Sequence, residues 1–151
     1  MLAKDFMTKD VIVVRETDTI EEVAKILIEK KISGVPVVDA QNKIIGVISE
    51  ADLVFQQKKI VPPVFFGVFD SFFHTGKENF QEELKKISAY NVKNLMTKER
   101  LILAKPETEL SALAELMIEN KINRIPIINE HREVVGIVTR HDIVRASWKK
   151  E

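Results

Sequence analysis

The chain has no cysteine, which excludes disulfides, thiolate zinc sites and cysteine nucleophiles together. It has no excess charge of either sign, because Lys plus Arg and Asp plus Glu number 23 each. No long single-sign run occurs, so the usual electrostatic footprint of a DNA- or RNA-binding domain is missing and no nucleic-acid partner is expected. No stretch approaches the roughly 18 uninterrupted apolar residues of a membrane span. The opening MLAKDFMTKD carries charges where a signal peptide needs an apolar core. A cytoplasmic chain without a membrane anchor is the expectation. The three histidines, His74, His131 and His141, are scattered without an i, i+4 pair or acidic company, so no metal site is expected. No G-x-S-x-G, P-loop, H-E-x-x-H, Cys–His pair or G-x-G-x-x-G occurs, and no enzyme is expected.

What the 151 residues do contain is a repeat. DFMTKDVIVV (Asp5–Val14) recurs as NLMTKERLIL (Asn94–Leu103), and the segment Thr19–Val54 recurs as Glu109–Val144. Ile32, Pro36, Gly46 and Asp52 reappear as Ile122, Pro126, Gly136 and Asp142. The offset is 89 residues at the Met-Thr pair and 90 afterwards, which suggests one extra residue in the second copy near Pro106.

Each copy has the same local pattern. Val11–Val14 is a short apolar run suited to an extended segment. Asp18 or Thr19 can cap a helix, and Glu22 lies three residues after Thr19 as in a capping box. Ile20, Val23, Ala24, Leu27 and Ile28 fall on one helical face. Val35–Val38 and Ile44–Ile48 form a hairpin pattern around Asp39–Lys43, and a second helix is expected from Ser49. The fold class is α+β: two β-α-β-β-α units, each too small to bury its own sheet, packed about a pseudo-twofold axis. The expected domains are repeat 1 over 1–55, an insert over 56–91, and repeat 2 over 92–151.

These residues resemble the CBS domain: the Met-Thr lead-in, a helix running into Ile-Ser-Gly-Val-Pro-Val-Val, then Gly-Val-Ile-Ser-Glu-Ala-Asp. Two copies in succession resemble a Bateman module, the regulatory pair also found in the AMP-activated protein kinase γ subunit and in IMP dehydrogenase. The resemblance covers residues 1–55 and about 91–147. It implies a regulatory module binding an adenine nucleotide in a cleft shared by the repeats, and a stand-alone pair is expected because no catalytic domain is found beside the repeats. It also implies a homodimer and an unidentified regulated protein. AMP is expected first, then ADP or ATP; S-adenosylmethionine and NAD present the same adenosine, and no cofactor is required.

By the same resemblance, one pocket uses Ile12, Ile32, Ser33, Gly34, Val35 and Pro36 with Asn123, Arg124, Ile137, Thr139, Arg140, His141 and Asp142. The other uses Leu101, Ile122, Asn123 and Arg124 with Ser33, Gly34, Val47, Ser49 and Asp52. A hydroxyl at a strand–helix junction and a carboxylate one turn in suit the two ribose hydroxyls, and the helix N-terminus suits a phosphate. β-Branched walls such as Ile12 and Ile137 suit an adenine ring. Arg124 matches a position that often carries phosphate-binding Arg, whereas Gly34 stands there in the first copy, so the Thr139/Asp142 pocket is expected to be the better site.

Plainer readings remain open beside these. Ser49/Asp52 and Thr139/Asp142 also fit ordinary helix caps. Arg124 and Arg140 can be solvated charges, His141 can line the site or face water, and His131 is expected to be exposed in a turn. The insert carries Val64–Phe73, with five of the eight phenylalanines, and a helical pattern over about 77–89. Its aromatics either cover an open core edge or form an apolar patch for association.

Overall fold

In the computed structural model, residues 1–56 and 90–148 are described. The expected aromatic segment and helix of the insert lie outside these residues. The elements run α1 (Ala3–Phe6), β1 (Val14–Arg15), α2 (Ile20–Lys30), β2 (Gly34–Val38) and β3 (Ile44–Ser49). A π-type turn (Asp52–Gln56) follows, then α3 (Val92–Leu95), α4 (Leu110–Asn120), β4 (Arg124–Ile128), β5 (Val134–Thr139) and α5 (Arg140–Trp148). The copies share their helix–strand–strand order, and the fold is α+β as expected; where β1 stands in the first copy, the second has only a single bridge from Ala104 to Ile127. One sheet has the order β1-β2-β3, the other pairs β4 with β5.

Helix α2 begins as its sequence specifies. The Thr19 hydroxyl accepts from the Glu22 amide at 3.2 Å, and the Glu22 carboxylate accepts from the Thr19 amide at 2.9 Å. Two amides with no partner inside the helix are thereby satisfied. Both long helices end alike, with Lys31 and Lys121 at φ 53°. Ile32 and Ile122 donate back to Leu27 and Met117, each at 3.1 Å, which closes a Schellman turn. Ile20, Val23 and Leu27 are buried. Ile28, expected on the same face, is instead 76% exposed, as is Ile118 at 74%. Position 28 follows the buried Leu27 and lies about 100° further round the helix, off the stripe that Ile20, Val23 and Leu27 form.

The extra residue of the second copy is not near Pro106. Arg15 donates to the Asp18 carboxylate, and Lys105 donates to the Thr108 hydroxyl; Val14 and Ala104 are the matching buried positions. The 90-residue offset is thus already in force at 104. The insertion is taken up in the turn before Leu101, where Arg100 adopts φ 53°.

The residues divide into two compact units. One contains Met1–Val13, Val38–Gly46 and Lys98–Glu151; the other contains Val14–Val37 and Val47–Thr97. In the first unit, Ala3, Leu113, Met117, Ile125, Ile127 and Val138 form a core cluster. Ala3 donates to Thr108 at 2.8 Å, and Thr8 exchanges two 3.0 Å bonds with Ile137. In the second unit, Val47 and Thr97 exchange two 2.9 Å bonds, and Ile20 donates to Tyr90. Val23, Val35, Val37, Ile48 and Val92 are buried there.

Candidate functional site

The second copy's candidate residues are organised by the β4–β5 ladder. Arg124 stands opposite Thr139, and Pro126 opposite Ile137. Directly opposed residues of an antiparallel pair project to the same face. On one face Ile125, Ile127 and Val138 are buried; on the other, Arg124, Ile137 and Thr139 are half-buried. The alternation thus leaves a cation, a β-branched wall and a hydroxyl together on the less buried side. Ile137 spends both of its backbone groups on Thr8, so the missing N–H of Pro126 leaves no gap in the ladder.

At the end of β5 the chain turns into α5. Arg140 donates its amide to Asn123 at 3.0 Å. Thr139, one residue back, points its amide away from β4 and donates it to Asp142 Oδ2 at 2.8 Å; its hydroxyl donates to the same oxygen at 2.8 Å. The Asp142 amide in turn donates to Thr139 Oγ1 at 3.2 Å. This is a reciprocal cap with Asp at the third position, so the plainer cap reading of Thr139/Asp142 holds in this structure. The carboxylate is nearly covered, at 7% exposure, and its Oδ1 accepts from Arg145 Nη2 at 2.9 Å. Asp142 is the only buried charged residue among those described, and such a group demands partners.

Arg140 donates its Nε to the Ile122 carbonyl, 3.2 Å away, and remains exposed at the helix–strand turn. His141 is exposed, as are Asn123 and His131, while Ile12 and Ile122 are half-buried. No group of three or more His, Asp or Glu residues suited to a metal occurs among the described residues.

The first copy follows the same plan with weaker chemistry. The Ser49 amide and hydroxyl donate to Asp52 Oδ2 at 2.9 and 3.2 Å, and Glu50 donates its amide to Ser33 at 2.9 Å. Asp52 is half-buried, not buried. Glu50 stands where Arg140 does in the second copy and has no side-chain donor for the turn. Gly34 opens β2 where Arg124 opens β4. Ile32, Ser33 and Val47 are half-buried, but Val35 and Pro36 are fully buried and belong to the core.

The corrected offset also changes one pairing. Ile102, not Leu101, is the counterpart of Ile12, and Ile102 packs against the first unit's core. Sequence reasoning had no way to choose, because Arg-Leu-Ile-Leu accepts either register. It also passed over Arg145, whose signal was the i, i+3 spacing from Asp142.

Comparison with known proteins agrees with this geometry. Residues 3–58 and 92–149 match the CBS domain. The protein MJ1426 of Methanocaldococcus jannaschii is 33% identical over 154 residues, covering 97% of this chain and 90% of the relative. CBSX1, a chloroplastic CBS domain-containing protein of Arabidopsis thaliana, is 33% identical over 149 residues, and the match takes in 95% of this chain but 62% of CBSX1. The chain therefore spans less than two thirds of that relative. Among solved structures, CBSX2 in complex with AMP is 28% identical with TM-score 0.70, covering 97% of this chain and 95% of the other. The CBS domain pair of MJ0100, in complex with 5′-methylthioadenosine and S-adenosyl-L-methionine, is 26% identical with TM-score 0.70 and the same coverage. With the duplicated β-α-β-β-α unit and both strand–helix loops in place, the chain belongs to the CBS domain family as a tandem pair.

Proposed function

We propose that this chain is a regulatory sensor that binds an adenosine-containing ligand at the strand–helix loop of its second copy. The observation that carries the reading is the Thr139–Asp142 turn. It sets a hydroxyl and a nearly covered carboxylate at the mouth of α5, with Arg124 across the ladder. A ribose presents two hydroxyls to such a carboxylate, and Arg124 is the side chain suited to a phosphate. The complexes of CBSX2 with AMP and of MJ0100 with methylthioadenosine and S-adenosylmethionine support the ligand class. With Arg124 in one copy and Gly34 in the other, AMP comes first, ADP or ATP next, and S-adenosylmethionine or NAD after them. The role is regulatory and not catalytic, exerted on another protein.

A thermal-shift series with AMP, ADP, ATP, NAD and S-adenosylmethionine tests the reading. AMP at sub-millimolar concentration is expected to raise the unfolding midpoint; at a hundred times Kd the added stability is about 2.7 kcal/mol. Asp142→Ala is expected to remove most of the shift. A chain indifferent to all five compounds would rule the reading out.

A second reading concerns self-association. Ile28 and Ile118 are exposed at the same place in the two copies, as are Val54 and Val144. Conspicuous apolar exposure at duplicated positions favours a homodimer formed through helix faces.

A further inference from the structure

We propose that Arg145 is an internal competitor for the ligand: it holds the Asp142 oxygen that a ribose diol needs, and binding requires its release. The inference rests on the proposed adenosine site at Thr139/Asp142. The count of hydrogen-bonding places on the carboxylate carries it. An ionised carboxylate offers about four acceptor positions, two on each oxygen. Oδ2 already accepts from the Thr139 amide and hydroxyl, both at 2.8 Å. Oδ1 accepts from Arg145 at 2.9 Å. One position is left. A ribose with adjacent 2′- and 3′-hydroxyls brings two donors, so one resident donor must yield.

The Thr139 bonds belong to the cap of α5: the amide is backbone, and the hydroxyl is held in place by accepting from the Asp142 amide at 3.2 Å. Arg145 is the donor that can leave, since its side chain is 55% exposed and regains water when it lets go. An exposed guanidinium gives up little on release, whereas the carboxylate at 7% exposure must be partnered at all times. Ligand hydroxyls and Arg145 therefore exchange on one oxygen. In the first copy, Phe55 stands at the corresponding sequence position and carries no charge, so this arginine has no counterpart there.

Calorimetric titration with adenosine tests this, because an uncharged ligand does not feel the lost arginine charge as a phosphate would. Arg145→Met is expected to tighten adenosine binding by about threefold, the scale set by an exposed ion pair. Binding of 2′-deoxyadenosine, which has a single hydroxyl for the remaining position, is expected to stay unchanged in the same variant. Asp142→Asn is expected to weaken adenosine strongly, and adding Arg145→Met to it is expected to change nothing further. Arg145→Gln serves as a second variant if the Met form folds poorly. If Asp142→Asn weakens adenosine while Arg145→Met and Arg145→Gln bind it no more tightly than the parent, Arg145 is not a competitor and the binding site stands. Equal tightening of adenosine and deoxyadenosine also overturns the exchange. If adenosine does not bind, or binds Asp142→Asn as well as the parent, the site itself is misplaced and the inference falls with it.

Discussion

At the scale of single residues, Gly136 and Met7 show how closely the lead-in is fitted to β5. A Cβ on Gly136 would collide with Sδ and Cγ of Met7, whose neighbour Thr8 is bonded twice to Ile137. The glycine serves close approach here, not an unusual backbone angle. Gly136→Ala is expected to destabilise the fold by about 1–3 kcal/mol, the usual range for overpacking. Met7→Ala should cost less in that background than in the parent chain, because it removes the colliding atoms. Urea unfolding of the single and double variants checks both statements, and a shortfall from additivity is the signature of the contact. The duplicated glycine was visible in the sequence; the methionine lying on it was not, since residues 7 and 136 share no local pattern.

At the scale of elements, the caps are the features most readable in advance. Thr19 and Glu22 form the capping box their spacing announced, and Thr19→Ala is expected to cost about 1 kcal/mol in denaturant unfolding. The helix ends point the other way. Lys31 and Lys121 adopt the left-handed region at φ 53°, where a side chain crowds the backbone and glycine is favoured. Lys121→Gly is expected to stabilise the chain by about 0.5–1 kcal/mol, read from the same unfolding curves. The hairpin turns were equally legible: Asp39 accepts from the Gln41 and Lys43 amides, and Asn129 accepts from the His131 and Glu133 amides, the local bonding that recommends these residues for turns. The position of the inserted residue was hidden, because it lies between apolar runs that read the same in either register. Only φ at Arg100 and the hydrogen bonds downstream reveal it. The candidate site was legible as far as Arg124, Thr139 and Asp142, whose ladder and cap follow from strand alternation. The engagement of Asp142 by Arg145 was not, since i, i+3 charge pairs on helices are common and mostly weak.

At the scale of the whole molecule, the proposed homodimer is the property to measure. Ile118 is 74% exposed and Trp148 81% exposed, and covering them would remove apolar surface worth roughly 25 cal/mol per Å². Sedimentation of the parent chain is expected to give a dimer at micromolar concentration. A double Ile28→Lys, Ile118→Lys variant is expected to sediment as a monomer while keeping its unfolding cooperativity. A parent chain that sediments as a monomer would end that reading.

The placement of the lead-in segments also carries a consequence for how the protein is made. Every piece of the unit formed by Val14–Val37 and Val47–Thr97 has been synthesised once residue 97 is added. The other unit needs Met1–Val13, made before those pieces, together with Lys98–Glu151, made after them. Ala3, fully buried and bonded to Thr108, must wait for about a hundred further residues, which at roughly 5–20 residues per second is some 5–20 seconds on the ribosome. During that interval Leu2, Phe6 and Met7 have no core to enter. The lead-in segment is made well before the residues that hold it, and it stays open to a nascent-chain chaperone in the meantime.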